Sequence, residues 1–228
     1  MKTLFNLTLF AALLLLLGPA LNSRWAPPAQ ADEVKLAADA DADADDDGWV
    51  SLMPKTEALE GWTIPKKQAD HWKLEDGVIV GENPKKRGSN LWTEKDYGDY
   101  ELIVEFRTPS NDYDSGVFLR GSSHQVQIGI SRSLKKDLTA CLYCPKDGNG
   151  KYPQQPEDKI KKAHKLGEWN TLRMVTKGKH IKTYLNGVLI NDYQAVKYPA
   201  NGKIGLQLHG GVHMKMEFKN VKIKAING

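Results

Sequence analysis

From residue 70 onward the chain alternates apolar and polar residues with a period of two. Tyr100-Glu101-Leu102-Ile103-Val104-Glu105-Phe106-Arg107 is the clearest case. In a strand, residues two apart share a face. Tyr100, Leu102, Val104 and Phe106 therefore form a core face, with Glu101, Glu105 and Arg107 opposite. Trp72 to Val80 predicts two strands around Asp76-Gly77. Asn186-Gly187, a strong hairpin signal, joins Ile181–Leu185 to Val188–Ile190. Trp169–Val175 is a further strand. Lys203–His209 and Met214–Phe218 flank Gly210-Gly211, and Val221–Lys224 closes the series. Only Glu157–His164 suits a helix, and Lys146–Pro156 is a Pro/Gly-rich loop. Many short strands with tight turns and almost no helix predict an all-β fold, an antiparallel sandwich or barrel.

Three segments place polar groups where a sheet normally buries aliphatic ones: Ser115–Arg120, His124–Ile128 and Ile204–Gly210. Val117 and Leu119 face one way, and Gly116, Phe118 and Arg120 the other. Gln125 and Gln127 oppose Val126 and Ile128. Gln207 and His209 oppose Leu206 and Leu208. If these strands are neighbours, Arg120, Gln125, Gln127, Gln207 and His209 share one face. A sandwich of curved antiparallel sheets leaves a concave face open to solvent, where such residues suit a polyhydroxylated ligand.

The N-terminal pattern is different. Leu4–Leu21 is strongly apolar behind Lys2, and Ala29-Gln30-Ala31 is a small-x-small cleavage site. Residues 1–31 are therefore expected to be an export signal, making the protein secreted or periplasmic. The competing reading is an uncleaved anchor, because Leu4–Leu21 approaches the length of a span. Asn6, Thr8 and the Ala-x-Ala site favour cleavage, which leaves no integral span. Residues 32–47, rich in Ala and Asp, contain no aromatic residue and self-repel, so they are expected to form a disordered linker. Asp43, Asp45, Asp47 and Gly48 match the start of a calcium loop, but Pro54 stands where the bidentate Glu belongs.

Charge divides at the same boundary. Residues 32–47 hold eight acids and one base, whereas residues 48–228 hold 29 Lys and Arg against 20 Asp and Glu. The lysines of this second part are scattered. With export, that argues for a solvated basic surface rather than for nucleic acid. Residues 48–228 suffice for one β-domain with its own core. The two cysteines, Cys141 and Cys144, lack a thioredoxin-like context, and Pro145 excludes a c-type haem motif. One pair is too few for a structural zinc site on its own. A structural role is expected for them, as a local disulfide or as packing. No cofactor is predicted, and a divalent metal is left open.

Several segments carry a family resemblance. They are Gly48-Trp49-Val50-Ser51-Leu52 with Gly61-Trp62, Trp72 with Asp76-Gly77, Asp99-Tyr100-Glu101-Leu102, Ser115–Arg120, Gly167-Glu168-Trp169-Asn170, Leu185-Asn186-Gly187, Ile204–Gly210 and Phe218-Lys219-Asn220-Val221. In order and together, they resemble the 3-keto-disaccharide hydrolase domain family over residues 48–227. The resemblance implies a concanavalin A-like jelly roll that acts on carbohydrate. It also exposes departures. Gln125 stands at the family's Glu, Ile130 at its Asp, and Asp114 at its Asn.

For a 3-keto sugar the ketone acidifies C2–H. One base and donors for the enolate oxygen are then enough for elimination of the C1 substituent, followed by hydration. His209 is the candidate base and Arg120 the candidate oxyanion partner. Gln125, Gln127, Gln207 and Trp92 are candidate substrate contacts. A two-carboxylate glycosidase is the weaker reading. Glu101 and Glu105 share a face, but their spacing is equally that of a solvated surface. The alternative function is a non-catalytic, lectin-like carbohydrate-binding module.

Overall fold

A computed structural model describes residues 47–226. The expected export signal lies outside these residues. So do the linker and the calcium-like Asp run, apart from Asp47.

The strands are β1 (Val50–Ser51), β2 (Trp62–Thr63), β3 (Trp72–Glu75), β4 (Val78–Glu82), β5 (Ser89–Thr93), β6 (Tyr100–Arg107), β7 (Asp114–Phe118), β8 (Gln125–Gly129), β9 (Leu142–Tyr143), β10 (Asn170–Lys177), β11 (His180–Leu185), β12 (Val188–Gln194), β13 (Gly205–Leu208) and β14 (Lys215–Ala225). Helix α1 spans Glu157–Ala163, and a 3-10 helix at Lys66–His71, absent from the sequence reading, leads into β3. The strands build two antiparallel sheets. One runs β12-β11-β10-β6-β14-β4-β3 with β1 added on β14, and the other runs β2-β5-β13-β7-β8-β9. The described residues form the expected jelly-roll sandwich.

The alternation decides which residues enter the core. Tyr100, Leu102, Val104 and Phe106 of β6 are buried, and from the facing sheet so are Leu91, Val117, Val126, Ile128, Leu206 and Leu208. Both predicted tight turns form. Asp76 and Gly77, and Asn186 and Gly187, take positive φ at both central positions, as a two-residue hairpin requires. One expectation changes. Met214–Phe218 and Val221–Lys224 are not two strands but one, β14. Asn220 at φ 46° sits in a register shift between Lys219 and Lys222, so the strand kinks without ending.

Cys141 and Cys144 are free buried thiols, so the packing alternative holds and no disulfide joins them. Burial pushes their pKa values up, to about 12 and about 11. Glu101 and Glu105 lie on the outer side of the larger sheet. Arg173 Nε donates to Glu101 at 2.5 Å and Asn220 to Glu105 at 2.9 Å. They are a paired surface, not a catalytic couple.

Candidate functional site

The register of the six-stranded sheet sets its outward side chains in rows. Gly205 of β13 pairs with Trp92 of β5 and Phe118 of β7, and Phe118 in turn with Gln125 of β8. One step along, Gln207 pairs with Asn90 and Gly116, and Gly116 with Gln127. His209 follows Gln207 by two residues, and its backbone N–H donates to the Asp114 carbonyl at 3.1 Å. Strand pairing therefore brings Trp92, Gln125, Gln127, Gln207 and His209 to one face.

Two glycines keep this face open. Trp92 and Phe118 stack over Gly205, centroids 5.0 Å apart and planes 19° apart. A Cβ at Gly205 would lie 2.6 Å from the Trp92 ring, and one at Gly116 would lie 2.2 Å from Gln125 Nε2. Gly205→Ala is expected to tilt Trp92 off its stack and destabilise the fold by about 1–3 kcal/mol. Thermal unfolding and tryptophan fluorescence check both effects.

The face is not uniformly accessible. A groove of about 220 Å3 is lined by Gln68, Asn90, Trp92, Gln207 and His209, among others, with Pro65 of the 3-10 helix approach and Gly88 on its rim. Gln125 and Gln127 are buried and lie beside it. Gln125 Nε2 donates to Gln207 Oε1 at 2.6 Å. That bond points the Gln207 amide so that its Nε2, a two-proton donor, is left for the groove. Gln127 Nε2 donates to Asp114 at 2.9 Å, and its Oε1 accepts from Tyr152 at 2.9 Å. Gln127 thus fastens the 144–156 loop to the sheet and has no capacity aimed at a ligand.

His209 is half-buried at the groove's end. Its Nδ1 lies 2.6 Å from the Gly210 carbonyl. A carbonyl only accepts, so Nδ1 carries the proton, and in the neutral ring Nε2 presents a lone pair. No carboxylate lines the groove among the described residues.

Arg120 is corrected. Strand parity puts it on the open face, but β7 ends at Phe118, and Arg120 turns away at φ 52°. Its guanidinium is fully buried. Nε donates to Gly98 O at 2.7 Å, Nη1 to Gly178 O at 2.9 Å and Pro199 O at 3.0 Å, and Nη2 to Asp99 at 2.6 Å and Thr176 at 2.9 Å. Its Cζ also lies 4.7 Å from the Tyr198 ring centroid. Every donor is spent on the protein, so Arg120 clamps the two sheets together and offers nothing to a ligand. Asn90 and Gln68 were missed by the sequence reading. Asn90 had a legible signal in the Asn90/Trp92 alternation of β5, whereas Gln68 joins through a short helix that no periodicity announced.

A jelly roll with an aromatic and amide-lined groove on one sheet matches a family model, the 3-keto-alpha-glucoside-1,2-lyase-like domain, over residues 48–224. The chain belongs to this family. Membership makes it a carbohydrate-active, glycosyl hydrolase-like protein. Among solved structures, a candidate glycosyl hydrolase of Parabacteroides distasonis is similar at 24% identity and a TM-score of 0.56, covering 78% of this chain and 99% of that one. A second from the same organism shows 20% identity and a TM-score of 0.55, covering 79% and 95%. A structure named only as a native glycosidic hydrolase gives 13% identity and 0.55, covering 79% and 95%. These likenesses establish the fold. No curated protein matches the chain. Within the 3-keto-alpha-glucoside-1,2-lyase-like domain, Gln125 is the residue that orients Gln207. Ile130 sits just past β8 in an isolated bridge with Asp137.

Proposed function

We propose that this domain cleaves 3-keto-glycosides by elimination and hydration, with His209 as the base. The observation that carries this reading is the His209 imidazole at the groove's end, with Nδ1 tied to a carbonyl and Nε2 free, beside amide donors and without a carboxylate. Among the described residues the groove lining holds no carboxylate, so a two-carboxylate mechanism finds no support there. Removal of a hydrogen next to a ketone needs only one base and an enolate partner.

In the proposed sequence Nε2 of His209 takes the C2 proton. The C2–H electron pair forms the enolate, whose oxygen at C3 is held by the Gln207 or Asn90 amide. Collapse of the enolate breaks the C1–O bond, and the leaving oxygen takes the proton held by the His209 imidazolium, which releases the alcohol and restores the neutral base. Water then adds across the resulting C1–C2 double bond, its hydroxyl going to C1 and its hydrogen to C2, which gives the free 3-keto sugar. The sugar ring rests against Trp92, whose position over Gly205 makes a flat apolar platform. The groove is smaller than the roughly 300–1,000 Å3 of pockets for drug-sized ligands. It therefore takes one ring and leaves the departing group in solvent, which favours recognition of the oxidised sugar over that of its aglycone.

Trp92→Ala is expected to raise KM about 10-fold with a smaller change in kcat, the loss of one stacking surface. Incubating the full chain with a 3-keto-glucoside and separating the products tests the function itself. Release of the free alcohol supports it. Saturable binding without release favours instead the carbohydrate-binding reading, for which the amide at Gln125 in place of the family's Glu is the supporting observation. Export of the protein, with residues 1–31 as signal and 32–47 as linker, is part of the proposal. Among the described residues no helix is long and apolar enough to cross a membrane.

A further inference from the structure

On the far side of the six-stranded sheet edge from the groove, three side chains of different elements converge. His124 precedes β8, Cys144 follows β9, and Asp147 lies three residues further along the loop. One ligand atom from each lies within 4.8 Å of the other two, and all three residues are buried. His124 is 2% exposed, Cys144 0% and Asp147 2%.

The contacts around them leave a gap in the bonding. Asp147 is held in place by its surroundings. It accepts from the backbone N–H of Lys197 at 2.6 Å and of Val196 at 3.0 Å, and from the Tyr193 hydroxyl at 2.5 Å. The His124 ring packs edge-on against Tyr198, centroids 4.8 Å apart, and its Nδ1 meets Ser123 Oγ at 3.0 Å. Its Nε2 has no hydrogen-bond partner although it is fully buried. The Asp147 oxygen it faces is 3.7 Å away, too far for a hydrogen bond. A buried polar atom left unpaired is destabilising, so an orphan aimed at a carboxylate and a thiol calls for an explanation.

We infer that His124 Nε2, Cys144 Sγ and one Asp147 carboxylate oxygen form a binding site for a divalent transition metal ion of the zinc type. The donor set is one nitrogen, one sulfur and one oxygen, which suits zinc and excludes the hard, all-oxygen preference of calcium and magnesium. Zinc–nitrogen and zinc–oxygen bonds of about 2.0–2.2 Å at tetrahedral angles place those two ligand atoms roughly 3.3–3.5 Å apart, so His124 Nε2 and the Asp147 oxygen, at 3.7 Å, need to close by only a few tenths of an ångström around an ion. A thiolate and a carboxylate together balance a divalent cation, so the filled site buries no net charge. Cys144 would ligate the ion as the thiolate. Three protein ligands leave a fourth position for water. His124 Nδ1 on Ser123 supplies the outer contact that orients a ligating imidazole.

The ion would act at a distance from the sugar groove. It would join the start of β8 to the loop beginning at Cys144, while Asp147 already holds residues 196–197. The same loop reaches the open face through Tyr152 on Gln127. The metal is thus a pin for the loop that walls the open face, independent of which sugar chemistry the groove performs.

The test uses the full chain, stripped with a chelator and titrated with zinc alone and then with cobalt(II) alone. One equivalent is expected to bind. The cobalt form is expected to show a thiolate-to-metal charge-transfer band, and bound zinc should raise the Tm. Cys144→Ala and His124→Ala are expected to weaken binding at least 100-fold. Cys141→Ala, whose thiol lies outside the cluster, should bind as the parent does. Absence of saturable binding by folded parent chain, or parent-like binding by Cys144→Ala, overturns the site. If the ligand variants fail to fold, the charge-transfer band in the parent and its persistence in Cys141→Ala still decide the matter, and loss of the band in Cys141→Ala overturns it.

Discussion

His209→Ala is expected to lower kcat on a 3-keto-glucoside by about 10²- to 10⁴-fold, the usual contribution of a positioned general base. KM should change little, because the sugar contacts proposed for Trp92, Asn90 and Gln207 remain in place. The fold should survive. The backbone of His209 is anchored independently of its ring, its N–H on Asp114 O at 3.1 Å and its carbonyl on Asn83 Nδ2 at 3.0 Å. The side chain gives up a single bond, to the Gly210 carbonyl. His209→Gln is the sharper variant, since its amide can still donate to that carbonyl yet holds no basic nitrogen. Both variants should lose turnover while keeping the parent's Tm to within a few degrees. Substrate deuterated at C2 should react more slowly with the parent protein, reporting that this hydrogen is removed in the slow step. Unchanged turnover in His209→Gln removes His209 from the chemistry.

Arg120→Ala should destabilise the domain by about 3–5 kcal/mol, which at this size is a fall in Tm of roughly 10 °C or more. Five hydrogen bonds from one fully buried guanidinium are lost together. The carbonyls of Gly98, Gly178 and Pro199 and the Thr176 hydroxyl lose the donor built to meet them. Asp99 keeps only the Gly178 N–H, at 2.8 Å, among these contacts. Arg120→Lys should recover little of the loss, because a single ammonium cannot reproduce a planar fork that serves five acceptors. Arg120 also holds a left-handed backbone, which costs about 1–2 kcal/mol and persists because the clamp outweighs it. Thermal and denaturant unfolding of both variants measure the effect. If Arg120→Lys unfolds like the parent but fails to turn over substrate, Arg120 belongs to the site after all.

The contrast between these two residues shows how far the period-two pattern reaches. His209 and Arg120 sit at equivalent parity on their strands, and parity assigns both to the open face. Parity holds only while the strand does. His209 lies one residue past the end of β13, but its N–H still donates to Asp114 O of β7 and its carbonyl accepts from Asn83 Nδ2, so it keeps the strand's direction. Arg120 lies two residues past the end of β7, and a positive φ sends it toward the other sheet. Asn220 makes the converse point. Its positive φ breaks the pattern, yet β14 continues through the shift, because pairing with β6 resumes on the far side.

Gln125 and Gln127 give a third case. Their alternation puts them on the correct face, yet each is fastened to another part of the chain, Gln125 to Gln207 and Gln127 to Tyr152 and Asp114. Parity tells which way a side chain points. It does not tell what lies above it, and here the 144–156 loop lies there. The His124–Cys144–Asp147 cluster is hidden from a sequence reading for a related reason. Its members are twenty and three residues apart, a spacing with no periodicity, and only the hairpin geometry around β8 and β9 brings them together.

What the sequence by itself determined is the all-β sandwich, its two Asx-Gly turns, the core face of β6 and the family, because hydrophobic alternation and turn chemistry act over neighbouring residues. The tertiary structure alone decided which polar groups meet solvent, which are consumed in holding the sheets and loops together, and which converge from distant segments. Those outcomes depend on register between strands far apart in the chain and on the donors and acceptors each buried group finds there, and no local pattern of residues encodes them.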